Sequence, residues 1–343
     1  MKKTLTSLLL VIAVLCPALT GCAVPEQSRQ YTATFLDLFD TVTTVVGKAD
    51  SQAAFTKTAQ DIHDRLMYYH QLFDIYKSYD GINNLKTVND RAGRMPVQVD
   101  PEIIRMLLDC KRYYELTNGK VNAAMGSVLK LWHDARSNGI HDPDNARLPD
   151  ADALSAAAEH MDFSNVLIDV ERASVRFADP AVQLDVGAIA KGWAAQQVAE
   201  ASPAGLLISV GGNVCATGPK DASGTPWVVG IQDPNGGSEY LQTICVTGGS
   251  VVTSGDYQRA YQVDGQLYHH IIDPQTRYPS RYWRSVTVVC RDSGLADALS
   301  TALFLLPREE GQILLDESGG EAMWVDSQGG IFYSPGFEKL IKP

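Results

Sequence analysis

A corner from strand to helix at residues 184–193 constrains the fold of this chain more than any other stretch. A short apolar run ends at Asp185, Gly187 permits close backbone approach, and alanine- and glutamine-rich sequence that favours a helix follows at once. A helix N-terminus presents free N–H groups and the positive end of the helix dipole. With Asp185 and Lys191, the corner is therefore a candidate binding site for a phosphate or a hydrated metal. On spacing alone, a tight turn with an ordinary salt bridge is the commoner structure.

Four further segments accompany the corner, with the sequences SVGGN, TSGDY, HIIDPQT and ADALST at residues 209–213, 253–257, 270–276 and 296–301. Together, in this order, the five segments resemble the ApbE family of FAD:protein FMN transferases, magnesium-dependent enzymes that attach FMN covalently to other proteins. The likeness runs from about Phe39 to the C-terminus. It implies an α+β fold of largely antiparallel sheets with packed helices, similar to a T-fold. No Rossmann or P-loop glycine motif occurs in the sequence, so FAD binding would use a different scaffold.

The first 22 residues have the pattern of an export signal. Basic residues at the start precede a short apolar run, and the sequence LTGC ends at Cys22. This ending resembles a bacterial lipoprotein box, which predicts a lipidated Cys22 on the extracytoplasmic face of the cell membrane. A plain signal peptide with a chance cysteine is the alternative.

The expected organisation has three parts. Residues 1–21 are a lipoprotein signal peptide, residues 22–33 a lipidated N-terminus and tether, and residues 34–343 the flavin transferase domain, as one unit or two subdomains. The net charge of −11, without any block of Lys and Arg, argues against nucleic acid or anionic lipid as a partner. The four widely spaced cysteines after Cys22 suit buried apolar positions, and one disulfide stays open as an alternative.

Local patterns predict the elements that precede the corner. Residues 35–46 indicate two short strands, or one strand bent near Asp40, and residues 51–69 follow a helical period. An N-cap at Asp100 predicts a helix that ends near Asn118. Residues 133–150 are rich in turn formers and predict an exposed loop before a helix at about 150–160. His133 and His141 lie there without the spacing of metal ligands, so a solvated loop is the expected structure.

The family resemblance assigns FAD contacts along the chain. It places Phe39 and Tyr76 as aromatic residues against the flavin, although an isolated aromatic residue is more often core. Residues 117–122 resemble a turn of the family that contacts FAD, and Asn122 stands where an aspartate is usual. The remaining FAD-binding residues that the resemblance predicts are Lys120, Val121, Asp185, Lys191 and Ile272.

The resemblance also places a metal and a base. Asp297 and Thr301 lie four residues apart on one helical face, and oxygen ligands of this kind suit Mg²⁺. Without the family, a helix start with a capping aspartate is the commoner reading. The metal would be held by Asp297, Thr301 and the main chain at Ala188, with Ser300 in its shell. His270 is the candidate general base, because histidine titrates near neutrality, and a structural histidine is the alternative.

The implied reaction transfers the FMN part of FAD to a Thr or Ser hydroxyl of a flavin-acceptor domain, such as an FMN-binding subunit of a membrane redox complex, and releases AMP. Two departures from the family pattern stand out. Arg277 replaces the glycine of the turn after Asp273, which predicts a different backbone conformation or a looser turn, and Lys191 stands where some members have Glu. Two other functions fit the same residues: an FAD pyrophosphatase that yields FMN and AMP, and a lipoprotein that binds FAD or another solute without turnover.

Overall fold

A computed structural model describes residues 29–343, so the predicted signal peptide and Cys22 lie outside it. The strands are β1 (Arg29–Leu38), β2 (Thr41–Ala49), β3 (Val97–Gln98), β4 (Val166–Asp169), β5 (Ser174–Phe177), β6 (Leu206–Val210), β7 (Asn213–Ala216), β8 (Trp227–Gln232), β9 (Tyr240–Val246), β10 (Gly249–Gly255), β11 (Ala260–Val263), β12 (Gln266–His269), β13 (Ser285–Cys290), β14 (Glu321–Val325) and β15 (Ile331–Tyr333). The helices are α1 (Gln52–Phe73), α2 (Leu85–Arg91), α3 (Pro101–Leu116), α4 (Gly126–His141), α5 (Ala151–Ala158), α6 (Ala190–Glu200), α7 (Ser293–Phe304) and α8 (Arg308–Ser318).

One antiparallel sheet of eight strands organises the protein, in the order β1-β2-β6-β7-β10-β13-β14-β15. Alternate residues of its strands face two different cores, as the two-residue period of a strand requires. Val45 of β2 and Val252 of β10 belong to the core that contains α1, α6 and α7. Val251 of β10 belongs to a smaller core that contains the β8–β9 hairpin. The predicted α+β fold with antiparallel sheets is confirmed.

Two tight turns of the sheet lie side by side. Phe39 and Asp40 join β1 to β2, and both have φ near 51°. Gly211 and Gly212 join β6 to β7 with φ of 59° and 90°. The hydroxyl of Thr41 lies only 2.7 Å from the place where a Cβ on Gly211 would stand. Glycine is therefore required at residue 211 both for its positive φ and for the close approach of the neighbouring turn.

Several predicted elements form as expected. The bent strand at 35–46 is the β1–β2 hairpin, and the helix capped by Asp100 is α3. The pair Asp264 and Gly265, which is typical of a type I′ turn, joins β11 and β12 in a further hairpin. The first strand begins at Arg29, so residues 29–33 belong to the sheet rather than to the predicted tether. Helix α6 begins only at Ala190, after a turn, rather than directly after Asp185.

The predicted loop at residues 133–150 is wrong for its first half, because residues 133–141 lie in α4. Val128 and Trp132 are buried on one face of this helix, against α5 and the β11–β12 hairpin. Gly139 allows the ring of Tyr261 to pack directly on the helix, since a Cβ there would lie 2.6 Å from the ring. Tertiary packing thus offsets the weak helix preference of this stretch.

The cysteines after Cys22 are free thiols, and Cys110, Cys215 and Cys290 are buried as predicted. The disulfide that the sequence left open does not form among the described residues. Across residues 29–343, no helix has both the length and the apolar character needed to cross a membrane.

Candidate functional site

A cavity of about 510 Å³ opens between the large sheet, the corner at residues 184–193 and a third cluster of buried side chains around α4. Its walls combine residues from β2, α1, α4, α6, β7, β10 and α7 with residues of the connecting loops. The predicted site residues that line it are Phe39, Tyr76, Lys120, Val121, Asn122, Asp185, Ala188, Lys191, His270, Ile272, Asp297 and Thr301. The fold therefore brings together, in one place, residues that are spread over more than 260 positions of the sequence.

Asp297 is the buried carboxylate of this cavity, with 3% of its surface exposed. Its Oδ2 accepts a hydrogen bond of 2.8 Å from the N–H of Gly192 and lies 3.8 Å from Nζ of Lys191. Burial raises the pKa of Asp297, while Lys191 and the Gly192 amide act in the opposite direction. A partly compensated buried carboxylate of this kind favours the approach of a further cation.

The packing of α6 on α7 determines where this carboxylate lies. A Cβ on Gly192 would stand 2.3 Å from the carbonyl oxygen of Ser293 and 2.5 Å from Cβ of Asp297. Only glycine permits this contact, because real Cβ atoms do not approach so closely. The N-terminal turn of α6 and its dipole are thereby held against the carboxylate of Asp297.

Thr301 and Ala188 complete the candidate metal position, and the structure separates them from Ser300. Thr301 lies one turn after Asp297 on α7, and Ala188 lies in the turn before α6; both line the cavity. Ser300 is fully buried and does not line it. Its hydroxyl donates to the carbonyl of Asp297 at 2.9 Å and lies 2.8 Å from Oγ of Ser254. The structure therefore places Ser300 behind the site, as a contact that supports α7 against β10.

The composition of this position suits Mg²⁺ together with a phosphate. A carboxylate, a hydroxyl and a main-chain carbonyl are hard oxygen donors, and Mg²⁺ commonly takes few protein ligands and leaves sites for water and phosphate oxygens. In the part of the chain that the structure describes, no group of three or more His, Cys, Asp and Glu side chains could hold a metal by itself. The coordination of a metal here would be completed by water or phosphate oxygen atoms rather than by further carboxylate or imidazole groups.

Two consecutive histidines at the end of β12 have different environments. His269 is buried, accepts a hydrogen bond from the N–H of Ile271 at Nδ1 and donates from Nε2 to the carbonyl of Ser280 at 2.7 Å. Both of its nitrogens are thus engaged, which makes it a structural residue. His270 lines the cavity instead, and its Nδ1 is buried without a hydrogen-bond partner among the described residues.

The charge state of His270 differs from the expectation of a histidine that titrates near neutrality. Burial, followed by the charge of Arg259, lowers its pKa to about 3. The imidazole is therefore neutral across the physiological range and is available to accept a proton. A negatively charged ligand in the cavity would raise this pKa and strengthen the base.

The wall formed by residues 120–122 is held by internal hydrogen bonds. Nζ of Lys120 lies 3.2 Å from both carboxylate oxygens of Asp273 and 3.1 Å from the side-chain oxygen of Gln275. Asn122 accepts from the N–H of Ala124 and donates to the carbonyl of Met161. An aspartate could not make the second bond, because a carboxylate has no donor. Asparagine at residue 122 therefore fits a structural contact, and both ends of its amide are already used.

Asp185 lies beside residues 120–122, because its N–H donates to the carbonyl of Ala123 at 2.8 Å, and Phe39 and Tyr76 add aromatic rings to the lining. Asp185 accepts a hydrogen bond of 2.8 Å from the N–H of Gly187, and burial raises its pKa. The ring of Tyr76, which is largely exposed, lies 5.3 Å from the ring of His133. The ring of Phe39 meets His70 edge to face at 5.5 Å. Both aromatic residues line the cavity, and Phe39 also packs against the main core. Their rings are therefore available to a planar ligand.

Arg277 keeps a positive φ of 65°, so the conformation suited to glycine is retained at this turn. The expected change of backbone conformation is wrong. Its N–H donates to the carbonyl of Asp273 at 2.7 Å, and its own carbonyl accepts from Nε1 of Trp132 at 2.8 Å. Its guanidinium also reaches Oγ of Ser155. These contacts hold the turn firmly and offset the strain of a left-handed non-glycine residue.

Arg136 and Arg259 line the cavity and were not singled out from the sequence. Within residues 29–343, neither guanidinium forms an ion pair with a carboxylate, and Arg136 donates to Nδ1 of His133 at 3.0 Å. Together they add positive charge beside His270 and Asp185. Arg136 lies in the stretch that the sequence predicts to be a loop, and Arg259 follows the TSGDY segment without a motif of its own. Sequence patterns therefore do not indicate that either arginine lines the cavity.

Comparisons with known proteins agree with one another on family and fold. Residues 38–324 match the model of the ApbE family. An FAD:protein FMN transferase from Treponema pallidum is 36% identical over 260 residues, which cover 70% of both chains. One from Klebsiella pneumoniae is 32% identical over 254 residues, 70% of this chain and 76% of that protein. The crystal structure of the ApbE protein from Thermotoga maritima superposes with a TM-score of 0.80 at 28% identity, covering 92% of this chain and all of that one. The fold of flavin transferase ApbE from Vibrio cholerae matches with a TM-score of 0.74 at 21% identity and the same coverage.

Proposed function

This chain belongs to the ApbE family, and on that premise we propose that it transfers the FMN part of FAD to a hydroxyl group of a second protein. The observation that carries the proposal is the cavity itself, in which the buried carboxylate of Asp297 and the neutral imidazole of His270 line one space. The carboxylate of Asp297 can bind a cation that neutralises the charge of a pyrophosphate, and the imidazole of His270 can accept the proton of a hydroxyl. Phosphoryl transfer needs mainly alignment, charge neutralisation and removal of one proton.

The proposed reaction begins with the acceptor hydroxyl in the cavity beside His270. His270 takes the hydroxyl proton as the oxygen attacks the phosphorus on the FMN side of the FAD pyrophosphate. A new P–O bond forms to the acceptor, the bond from this phosphorus to the bridging oxygen breaks, and the electron pair leaves with AMP. The product is FMN joined to the acceptor by a phosphoester, and the proton on His270 returns to solvent or to the leaving group.

Asp297, Thr301 and the main-chain carbonyl of Ala188 would hold Mg²⁺ in this site. When bound, the metal would neutralise charge on the pyrophosphate and polarise its phosphorus. Lys191, whose Nζ lies 3.8 Å from Asp297, adds positive charge on the same side. Arg136 and Arg259 add positive charge near His270, which lowers the pKa of its imidazole. The negative charge of a bound pyrophosphate would act in the opposite direction and raise this pKa.

Aromatic and apolar residues would bind the flavin and adenine rings. Phe39 and Tyr76 lie on one side of the cavity, and Val121 and Ile272 line it elsewhere. Burial of a flat ring between such side chains contributes both apolar area and stacking. Lys120 and Asp185 provide polar contacts at their edges, although Lys120 is already paired with Asp273.

Water in place of the acceptor hydroxyl would give FMN and AMP, the activity of an FAD pyrophosphatase. A storage protein without turnover would need neither a buried neutral histidine nor a metal position beside the pyrophosphate, which favours catalysis. The test is to incubate the protein with FAD, Mg²⁺ and a flavin-acceptor domain and to measure the mass of the acceptor. An acceptor heavier by FMN supports transfer, whereas release of free FMN with an unmodified acceptor contradicts it and supports hydrolysis.

We also propose that Cys22 carries a lipid that attaches the protein to the extracytoplasmic face of the cell membrane. The support is the sequence alone, with its basic start, short apolar run and lipoprotein box before Cys22. An anchor there would place the cavity near membrane-bound acceptor subunits.

A further inference from the structure

Two aromatic residues of the cavity wall, Phe39 and Tyr76, are joined by a continuous set of hydrogen bonds that passes through His70. The N–H of Phe39 donates to Nδ1 of His70 at 3.0 Å. Nε2 of His70 lies 3.3 Å from the hydroxyl of Tyr79, which donates to Oδ2 of Asp74 at 2.8 Å. The other carboxylate oxygen of Asp74 accepts the N–H of Tyr76 at 2.7 Å.

We propose that His70 is a positioning residue, which holds these two aromatic residues in register for FAD. The inference rests on the proposed function, because it treats the cavity as the FAD site. His70 and Asp74 line the cavity together with Phe39 and Tyr76, whereas Tyr79 lies behind them. The network therefore belongs to the wall itself, and its loss would act first on the shape of the binding site.

The direction of each hydrogen bond fixes the protonation of the network. Nδ1 of His70 accepts from a main-chain N–H, so the single proton of the neutral imidazole lies on Nε2 and points to Tyr79. Burial raises the pKa of Tyr79 to about 12, so its hydroxyl keeps the proton that it donates to Asp74. Each donor in the set thus meets one acceptor, which is the condition for a stable polar network.

The backbone at Phe39 explains why such support is needed. Phe39 and Asp40 form a two-residue hairpin turn in which both residues have φ near 51°. Such turns strongly favour Asn and Gly, and a bulky residue in the left-handed region is strained. Strain of this kind persists where surrounding contacts hold it, and it is found often at ligand sites. The bond to His70 holds the N–H of Phe39, and the edge-to-face contact of the two rings holds its side chain.

Charged and titratable groups around His70 come from two segments. Asp74, Lys77 and Tyr79 follow α1, while Asp37 lies near the end of β1 and Asp40 in the β1–β2 turn. Burial lowers the pKa of His70, with the carboxylates acting in the opposite direction. A proton added to Nδ1 would face the N–H of Phe39 and break that bond. The neutral form is therefore the one that positions the aromatic wall.

The test compares variants that keep or remove the acceptor for the N–H of Phe39. In His70→Leu this acceptor is lost, whereas in His70→Asn the side-chain oxygen stands close to the position of Nδ1. Tyr79→Phe removes one oxygen and loses both its contact with Nε2 of His70 and its bond to Asp74, but leaves Nδ1 of His70 as the acceptor for Phe39. Tyr68→Phe is the matched control. Tyr68 lies on α1, as His70 does, but its hydroxyl donates to Asp100 at 2.6 Å and does not line the cavity.

Two quantities are measured on each variant with Mg²⁺ present: FAD affinity from flavin fluorescence without acceptor, and the single-turnover rate of FMN transfer at saturating FAD. We expect His70→Leu to weaken FAD affinity about tenfold and Tyr79→Phe about threefold, with smaller changes in the rate, as the loss of one partly buried hydrogen bond predicts. His70→Asn should recover most of the affinity, and Tyr68→Phe should match the wild type.

Equal FAD affinity in His70→Leu and the wild type would overturn the proposal, and so would a His70→Asn protein as weak as His70→Leu. If His70→Leu does not fold, the affinities of His70→Asn and Tyr79→Phe decide in the same way. A wild-type protein that binds FAD but transfers no FMN would contradict the proposed function, while the affinity series would still test His70.

Discussion

Replacement of Gly192 by alanine should separate α6 from α7 and disable the metal position without touching a reacting group. The added Cβ would stand 2.3 Å from the carbonyl oxygen of Ser293 and 2.5 Å from Cβ of Asp297. Ordinary contact begins at 3.4 Å, so one helix must retreat by about 1 Å. Both obstacles are backbone or Cβ atoms, which cannot move aside by a change of rotamer.

The size of the effect follows from what this displacement breaks. The N–H of Gly192 donates to Oδ2 of Asp297 at 2.8 Å, and a retreat of about 1 Å lengthens this bond beyond a useful distance. Overpacking of a buried contact costs about 1–3 kcal/mol of folding stability. Misplacement of a catalytic group by about 1 Å costs on the order of 10²-fold in rate. We therefore expect a folded protein with a lower Tm, a raised Mg²⁺ requirement and a rate of FMN transfer about 10²-fold lower.

The assay is single-turnover FMN transfer as a function of Mg²⁺ concentration, with thermal unfolding of the same preparations. Gly248→Ala is the matched control, because a Cβ on Gly248 would meet only one atom, at 4.0 Å. This control should keep the Tm, the rate and the Mg²⁺ requirement of the wild type. A Gly192→Ala protein with the rate and Mg²⁺ requirement of the wild type would refute the argument that the α6–α7 contact places Asp297.

Three further predictions concern the base, the metal and the anchor. His270→Ala should lower the transfer rate about 10²–10⁴-fold, the usual effect of removing a general base, while FAD affinity changes little. Burial and Arg259 lower the pKa of His270 to about 3, so protonation of this residue should not reduce the wild-type kcat/KM near pH 6.5 at saturating Mg²⁺. A loss of kcat/KM that is centred near pH 6.5 and disappears in His270→Ala would contradict the buried, neutral imidazole. Asp297→Asn should abolish transfer in a protein with unchanged circular dichroism, because the buried carboxylate is the one charged metal ligand proposed here; activity that survives both this change and EDTA would show that the metal position is misplaced. Cys22→Ala should move the protein from the membrane fraction to the soluble fraction or block its processing, since acyl chains contribute roughly 0.8 kcal/mol for each buried CH₂; unchanged membrane association would remove the lipoprotein proposal.

Elements with strong local signals were predictable from the sequence. The side chain of Asp100 caps α3 through the N–H of Glu102, and Pro101 occupies the first turn, as the motif indicates. Asp264 and Gly265 adopt φ of 50° and 75° in the β11–β12 turn, the conformation that this pair favours. In both cases the side chains that fix the backbone lie within a few residues of it, so short windows of sequence contain the cause.

Features that depend on distant contacts could not be predicted in this way. Gly139 lies inside a helix because the ring of Tyr261, far away in the sequence, occupies the space of its Cβ. Ser300 is adjacent to Thr301, yet the packing of α7 on β10 turns its hydroxyl to Ser254. The same holds for Arg136, which reaches the cavity only because α4 replaces the predicted loop. For these residues the decisive neighbour is set by tertiary structure, and local propensity is a weak guide to it.

The hydrogen bond between Gly192 and Asp297 spans 105 positions of the chain, and this separation has a consequence for biosynthesis. Synthesis proceeds from the N-terminus, so Asp297 and Thr301 are added only after most of the chain has been made. Contacts between such distant segments form late, because the intervening chain must be ordered first. A truncated translation product that ends before α7 would contain His270 and both aromatic wall residues but would lack Asp297 and Thr301, the two side chains proposed to bind the cation. We therefore expect a prematurely terminated product to lack FMN transfer activity.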